Sequence, residues 1–198
     1  MPGEPIEAAS AARGLLKKGT LAFIVGPATA ALLLTNIPAE ESGRKVDVTI
    51  AKDGAATVKP VSGPQYLKVY LDMVGVATAC DGLTGKGIKM GLIFTEAQCA
   101  VMLESRLAET GQEVMACTPG LALTIPGRDR VRAAAVSLAY NVGTPTYCKS
   151  TMRAQINAGQ IKASCTSLTW FNRAGGRVVD GLVKRRGREQ ALCLMDVA

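Results

Sequence analysis

The 198-residue chain contains no histidine. That absence removes the commonest general base and the commonest metal ligand, so Ser-His triads and ordinary zinc chemistry drop out, and no metal or cofactor is expected. Aromatic residues make up only 4% of the chain, and none interrupts the basic cluster Lys184, Arg185, Arg186 and Arg188. The stacking platforms of single-strand nucleic-acid binders are therefore missing, and nucleic acid is not expected as a partner. No cysteine precedes Cys80, and no acidic residue stands between Asp53 and Asp72. No period of about 20 to 50 residues repeats, which excludes a solenoid.

What is present begins with charge. A formal net charge of +7 suits an anionic lipid surface or an acidic cell-wall polymer, and a plain solvated basic surface accounts for it equally. Within the basic cluster, Lys184, Arg185 and Arg186 either attract wall carboxylates or form a solvated helix face. The length allows one core of ordinary size plus an appendage.

The run "TLAFIVGPATAALLLTNI", residues 20–37, carries no charge. Arg13, Lys17 and Lys18 precede it, and Glu40 and Glu41 follow. About 20 apolar residues span a bilayer, and basic flanks stay in the cytoplasm, so the run predicts a membrane helix oriented N-in and C-out. Gly26, Pro27, Ala28, Thr29, Ala30 and Ala31 weaken its middle, so it could insert and later slip out. Two alternatives stay open: a signal peptide cleaved after the "IPA" that precedes Glu40, and a buried helix of a soluble protein. Six cysteines, Cys80, Cys99, Cys117, Cys148, Cys165 and Cys193, all follow the leader. That distribution fits export to an oxidising compartment and disulfide formation. Six cysteines allow 15 pairings; Cys148 with Cys165, flanking one short helical stretch, is the expected local bridge.

Four segments follow. Residues 1–19 read as a cytoplasmic lead, 20–39 as a signal anchor or signal peptide, 40–64 as an extended linker or hairpin, and 65–198 as the main domain. In the third, Val46, Val48 and Ile50 alternate with polar residues, Asp53-Gly54 offers a turn, and Thr57-Val58 a return strand ending at Pro60. Tyr66 to Leu71 is a short apolar segment, and the glycines from Gly75 to Gly85 suggest a tight antiparallel hairpin. From Thr95, a plausible N-cap, the chain is mostly helical, with Gly111 expected to interrupt the first helix and Gly143 to end the second. Three more helices follow, broken at Gly159 and Gly175-Gly176.

Glycoside hydrolysis needs an acid to protonate the leaving oxygen and a second carboxylate or positioned water across the bond. Asp72 and Thr78, separated by a glycine turn, could supply the second half. The run "YLDMVGVATACDGLTGK" resembles the active-site hairpin of phage-type lysozymes, glycoside hydrolase family 24. "SLAYNVGTPTYCKSTMRAQINAG" and "CTSLTWFNRAGGRVVDGLVKRRGREQALCL" resemble the helical C-terminal half of the same family. With the leader and six cysteines, the chain looks most like exported endolysins whose signal anchor is released from the membrane.

The resemblance implies an α+β, mostly α fold: a lysozyme-like domain with a small β-hairpin region and a helical C-terminal lobe, preceded by an N-terminal membrane-anchor helix. It also implies peptidoglycan as substrate, and places the chain at the bacterial inner membrane through residues 20–37 and in the periplasm, as a monomer. Asp72 and Thr78 match two catalytic positions. In that family a Glu, followed by Gly, stands nine residues before the hairpin Asp at a helix end; here the count lands on Gly63, or on Ser62 with a slip of one. Pro60, Gly63 and Pro64 disfavour a helix there. The exported endolysins usually carry Trp, Tyr and His where this chain has Ala77, Asp81 and Leu83.

Asp81 is a candidate substitute acid, although an odd separation from Thr78 turns it to the other strand face unless a bulge intervenes. Asp53 and Glu96 read as a turn acid and a helix-start acid. Tyr140, Asn141, Trp170 and Phe171 either line a sugar cleft, as the resemblance implies, or pack helices. The expected function is thus a peptidoglycan muramidase, cleaving the N-acetylmuramic acid to N-acetylglucosamine β-1,4 bond through a degenerate or rerouted site. The alternative is an inactive lysozyme fold that binds peptidoglycan or serves a structural or regulatory role. A third class, a membrane-lesion protein acting through its leader, needs only residues 1–40.

Overall fold

The computed structural model describes residues 16–72 and 75–197; most of the expected cytoplasmic lead, residues 1–15, lies outside the described residues. Residues 20–37 do not form one span. The Thr20 side chain caps α1 (Leu21–Val25) by accepting from the Phe23 amide at 3.2 Å. Gly26 then takes a φ of 90°, and Pro27 opens α2 (Pro27–Ser42), where its missing N–H costs nothing. Leu21, Val25, Leu33, Leu34 and Ile37 are buried in the main core, beside residues as distant as Cys165 and Cys193. Among the described residues no helix is long and apolar enough to cross a membrane. In this folded state the apolar run is core, split in two by the same Gly-Pro step that weakens it as an anchor.

The segment after α2 is a hairpin, β1 (Lys45–Ile50) with β2 (Ala56–Ser62), whose pairing runs past Pro60 to Ser62. Val46 is buried, and Val48, Ile50, Ala56 and Val58 pack on the main core. Its tip is held to the start of the described chain: the Lys17 amide donates to the Asp53 carbonyl at 2.8 Å, and Lys17 Nζ lies 2.9 Å from the Asp53 carboxylate. Its two feet touch, since a Cβ on Gly63 would stand 2.9 Å from Arg44 Cα.

A second sheet, β3 (Tyr66–Leu71), β4 (Ala77–Cys80) and β5 (Leu83–Thr84), is antiparallel throughout. It covers a small separate core of Val69, Ala79, Cys80, Leu83, Ile88 and Cys99. Helix α3 (Glu96–Cys117) starts with a reciprocal capping box between Thr95 and Gln98. Contrary to expectation it runs straight through Gly111. A Cβ there would stand 2.8 Å from Val25 Cγ1, so glycine lets α1 approach α3 rather than breaking it.

Helix α4 (Asp129–Val142) is buried continuously from Val131 to Ala139, its alanines admitting neighbours on several sides, and ends at Gly143 as expected. Then come α5 (Thr144–Cys148), α6 (Thr151–Asn157) and α7 (Ile161–Ser167). Two-residue strands β6 (Arg173–Ala174) and β7 (Arg177–Val178) pair around Gly175-Gly176 before α8 (Asp180–Leu194). The chain is α+β and mostly α.

All six cysteines are bridged: Cys80–Cys99, Cys117–Cys148 and Cys165–Cys193. The expected local Cys148–Cys165 bridge is wrong. Helix α5 packs beside α3 and brings Cys148 to its C-terminal end, while α7 packs on α8, so these four cysteines meet across helix interfaces, and Cys80–Cys99 joins β4 to α3.

Candidate active site

Glycine and strand register build one wall. The Asp72 carboxylate accepts from the Val76 amide at 2.8 Å, and the Asp72 carbonyl accepts from Gly75 N–H at 3.0 Å. Thr78 Oγ1 donates to the Val76 carbonyl at 3.0 Å. The Val76 residue thus ties Asp72 and Thr78 together across the turn. Tyr70 is the cross-strand partner of Thr78, so their side chains share a face of the sheet.

A second carboxylate against this sheet comes from a residue that counting along the hairpin overlooks. Glu41 is the penultimate residue of α2, whose end is fixed by Gly43 in the left-handed region (φ 69°). Its Oε2 lies 3.0 Å from where a Cβ of Gly82 would stand, and its Oε1 accepts from Arg185 at 2.7 Å. Burial raises the Tyr70 phenol's pKa, helped by Tyr66 and then by the charges of both Asp72 and Glu41. The same phenol therefore feels both carboxylates. The pKa of Tyr140, which is half-buried, is raised first by desolvation and then by Glu41 and Asp81.

Arg185 is itself positioned. Burial alone would lower its pKa, but the Glu41 and Glu189 carboxylates outweigh this and raise it. Glu189 accepts from Arg185 at 3.2 Å and from Ser137 at 2.6 Å, and desolvation raises its pKa despite these partners. Arg185 and Arg186 are 5% and 0% exposed, so neither lies on a solvated face or reaches toward a wall polymer. Positions 185, 186 and 189 face the core, while Lys184 stays exposed.

Other sequence candidates fall elsewhere. Asp81 is fully buried and is no spare acid: Arg44 Nη2 reaches its Oδ2 at 2.6 Å and Ser42 Oγ donates to its Oδ1 at 2.9 Å. Tyr140 donates to the Asp81 carbonyl at 3.3 Å, and Asn141 accepts from Arg186 at 3.2 Å. Asn141 and Phe171 both border a surface cavity of about 460 Å³. Trp170 is 60% exposed. Asp53 caps the hairpin tip, and Glu96 sits in the first turn of α3. Glu41, Arg44, Arg185 and Tyr70 are the site residues that counting missed. The available signal was a Glu at the end of an apolar run, two residues before a glycine.

A helix-end carboxylic acid facing a small antiparallel sheet, with Asp and Thr across a glycine turn, defines a lysozyme-like arrangement. The chain belongs to the phage lysozyme family, whose family model matches residues 63–189. It is 38% identical over 134 residues to the SAR-endolysin of Enterobacteria phage P21, covering 68% of this chain and 78% of that protein. The SAR-endolysin of Bacteriophage PS119 is similar at 38% over the same length, covering 68% and 77%. Among solved structures, the endolysin from Escherichia coli O157:H7 phage FAHEc1 superposes with a TM-score of 0.57 at 26% identity, covering 66% of this chain and 84% of that one. A P22 lysozyme does so at 0.56 and 27%, covering 66% and 88%. The family match begins at Gly63, downstream of the β1–β2 hairpin and of Glu41.

Proposed function

We propose that this chain is an endolysin that hydrolyses the N-acetylmuramic acid to N-acetylglucosamine β-1,4 bond of peptidoglycan, with Glu41 as the proton donor. The observation that carries this reading is the placement of Glu41 at a helix end, packed against Gly82 in the β4–β5 turn of the sheet that also presents Asp72 and Thr78. Glu41 protonates the leaving oxygen; Asp72 and Thr78 serve the opposite side, as nucleophile or as holders of the attacking water. Arg185 keeps the Glu41 side chain aimed.

The reading makes the site rerouted rather than lost: the acid comes from the leader side of an inserted hairpin. Residues 20–37 serve as a released signal anchor, in keeping with the SAR-endolysins it resembles, and the packed α1–α2 pair is the state after release.

The test is muropeptide release from purified Gram-negative walls by the oxidised protein. Glu41→Gln lowers the rate about 10²- to 10⁴-fold, the worth of a placed general acid, while Glu40→Gln keeps it. Retained lysis by folded Glu41→Gln ends the assignment.

A further inference from the structure

Among the described residues three donors reach the carboxylate of Asp81, and all come from the residues that follow Glu41 in the chain. Ser42 donates at 2.9 Å, Arg44 Nε at 3.3 Å and Arg44 Nη2 at 2.6 Å, the last two forming a fork on both carboxylate oxygens. The ion pair is 3% and 0% exposed. Asp81 sits in the β4–β5 turn, next to Gly82, the residue that Glu41 touches. The turn is fixed from behind: Cys80, at a φ of 54°, is bridged to Cys99 of α3, and Tyr140 of α4 donates to the Asp81 carbonyl.

The acid-bearing helix end is therefore clamped to the sheet just downstream of its acid. A buried ion pair adds little net stability, because desolvating both charges offsets their attraction. What a bidentate fork does supply is a fixed geometry. Arg44 lies at the foot of the inserted hairpin, and Asp81 is one of the positions where this chain departs from the exported endolysins it resembles.

We propose that Asp81 is a positioning residue: through Arg44 and Ser42 it sets the distance between Glu41 and the Asp72–Thr78 wall. This rests on Glu41 being the proton donor. The clamp takes over work that the native spacing of nine residues would otherwise do, by fixing the end of α2 against the sheet despite the hairpin between them.

The experiment uses the full oxidised chain on soluble, uncross-linked peptidoglycan strands, with kcat and KM measured separately and corrected for folded protein. In the double variant Arg44→Met/Asp81→Leu the buried charges are replaced together, which leaves neither charge unpaired. Its kcat is expected to fall about 100-fold, the cost of an ångström-scale misplacement, with KM unchanged. A folded double variant with native kcat overturns the proposal.

Should the double variant not fold, Arg44→Lys decides: it keeps the charge and loses the fork. A folded Arg44→Lys protein with lowered kcat and native KM supports positioning, and one with native kcat overturns it. Glu41→Gln runs in parallel. Full activity there sinks the proton-donor reading itself, whereas an inactive Glu41→Gln beside a fully active clamp variant sinks positioning alone.

Discussion

Glu40 and Glu41 are neighbours in the last turn of α2, where the helix dipole disfavours acids by about 0.3–1 kcal/mol each. Each is matched by an arginine of α8, and the two matches differ. Glu40 takes both oxygens of its carboxylate to Arg188, whose side chain is 59% exposed. Glu41 takes Arg185, 6% exposed and anchored below by Glu189. Only Glu41 also touches the sheet, at Gly82. Gly111 is a second single-residue decision. Replacing it with Ala gains up to about 1 kcal/mol of helix propensity, but the new methyl collides with the β-branched Val25, whose Cγ1 has no slack. Gly111→Ala is expected to lose about 1–2 kcal/mol net, since overpacking costs about 1–3 kcal/mol; denaturant unfolding with an unchanged slope checks it.

At the scale of elements, what was legible in the sequence was local. The β1 alternation, the Thr95 cap and the Gly143 stop each follow from residues within one or two turns of the chain. What was not legible depended on contacts between distant segments: that Cys148 faces Cys117, that Gly111 meets Val25, and that Glu41 meets Gly82. Counting back from Asp72 to find the acid presumes an unbroken path from helix to sheet, whereas the β1–β2 hairpin stands between Glu41 and Asp72 and its ends meet at Arg44 and Gly63. Among the described residues the small core beneath β3–β5 holds six buried hydrophobic residues, too few to stand alone, so its bridge to α3 matters most. Cys80→Ala/Cys99→Ala should cost about 2–4 kcal/mol. Hydrogen exchange should show the β3–β5 amides opening before those of α4. Replacing Cys165 and Cys193 instead should leave the β3–β5 amides as protected as in the parent.

Across the whole molecule, the proposed function gives the apolar run two environments, a bilayer before release and the core after it. In the folded chain it supplies Leu21, Val25, Leu33, Leu34 and Ile37 to the core, and the helix that it forms carries Glu41. Under the proposed release, a chain whose leader lies in the membrane has neither a complete core nor its acid. Membrane-bound protein, separated after export, should therefore release no muropeptides, while the soluble periplasmic fraction is active. Equal specific activity in the two fractions would remove the link between release and catalysis.

The touching feet of the hairpin at Arg44 and Gly63 have a consequence for engineering. Closing a longer loop between two fixed points costs only slowly more entropy as it grows. A reporter, an affinity handle or a wall-targeting module could thus be grafted at the hairpin, provided that Arg44 keeps its fork on Asp81 and the strand residues that pack on the core stay in place.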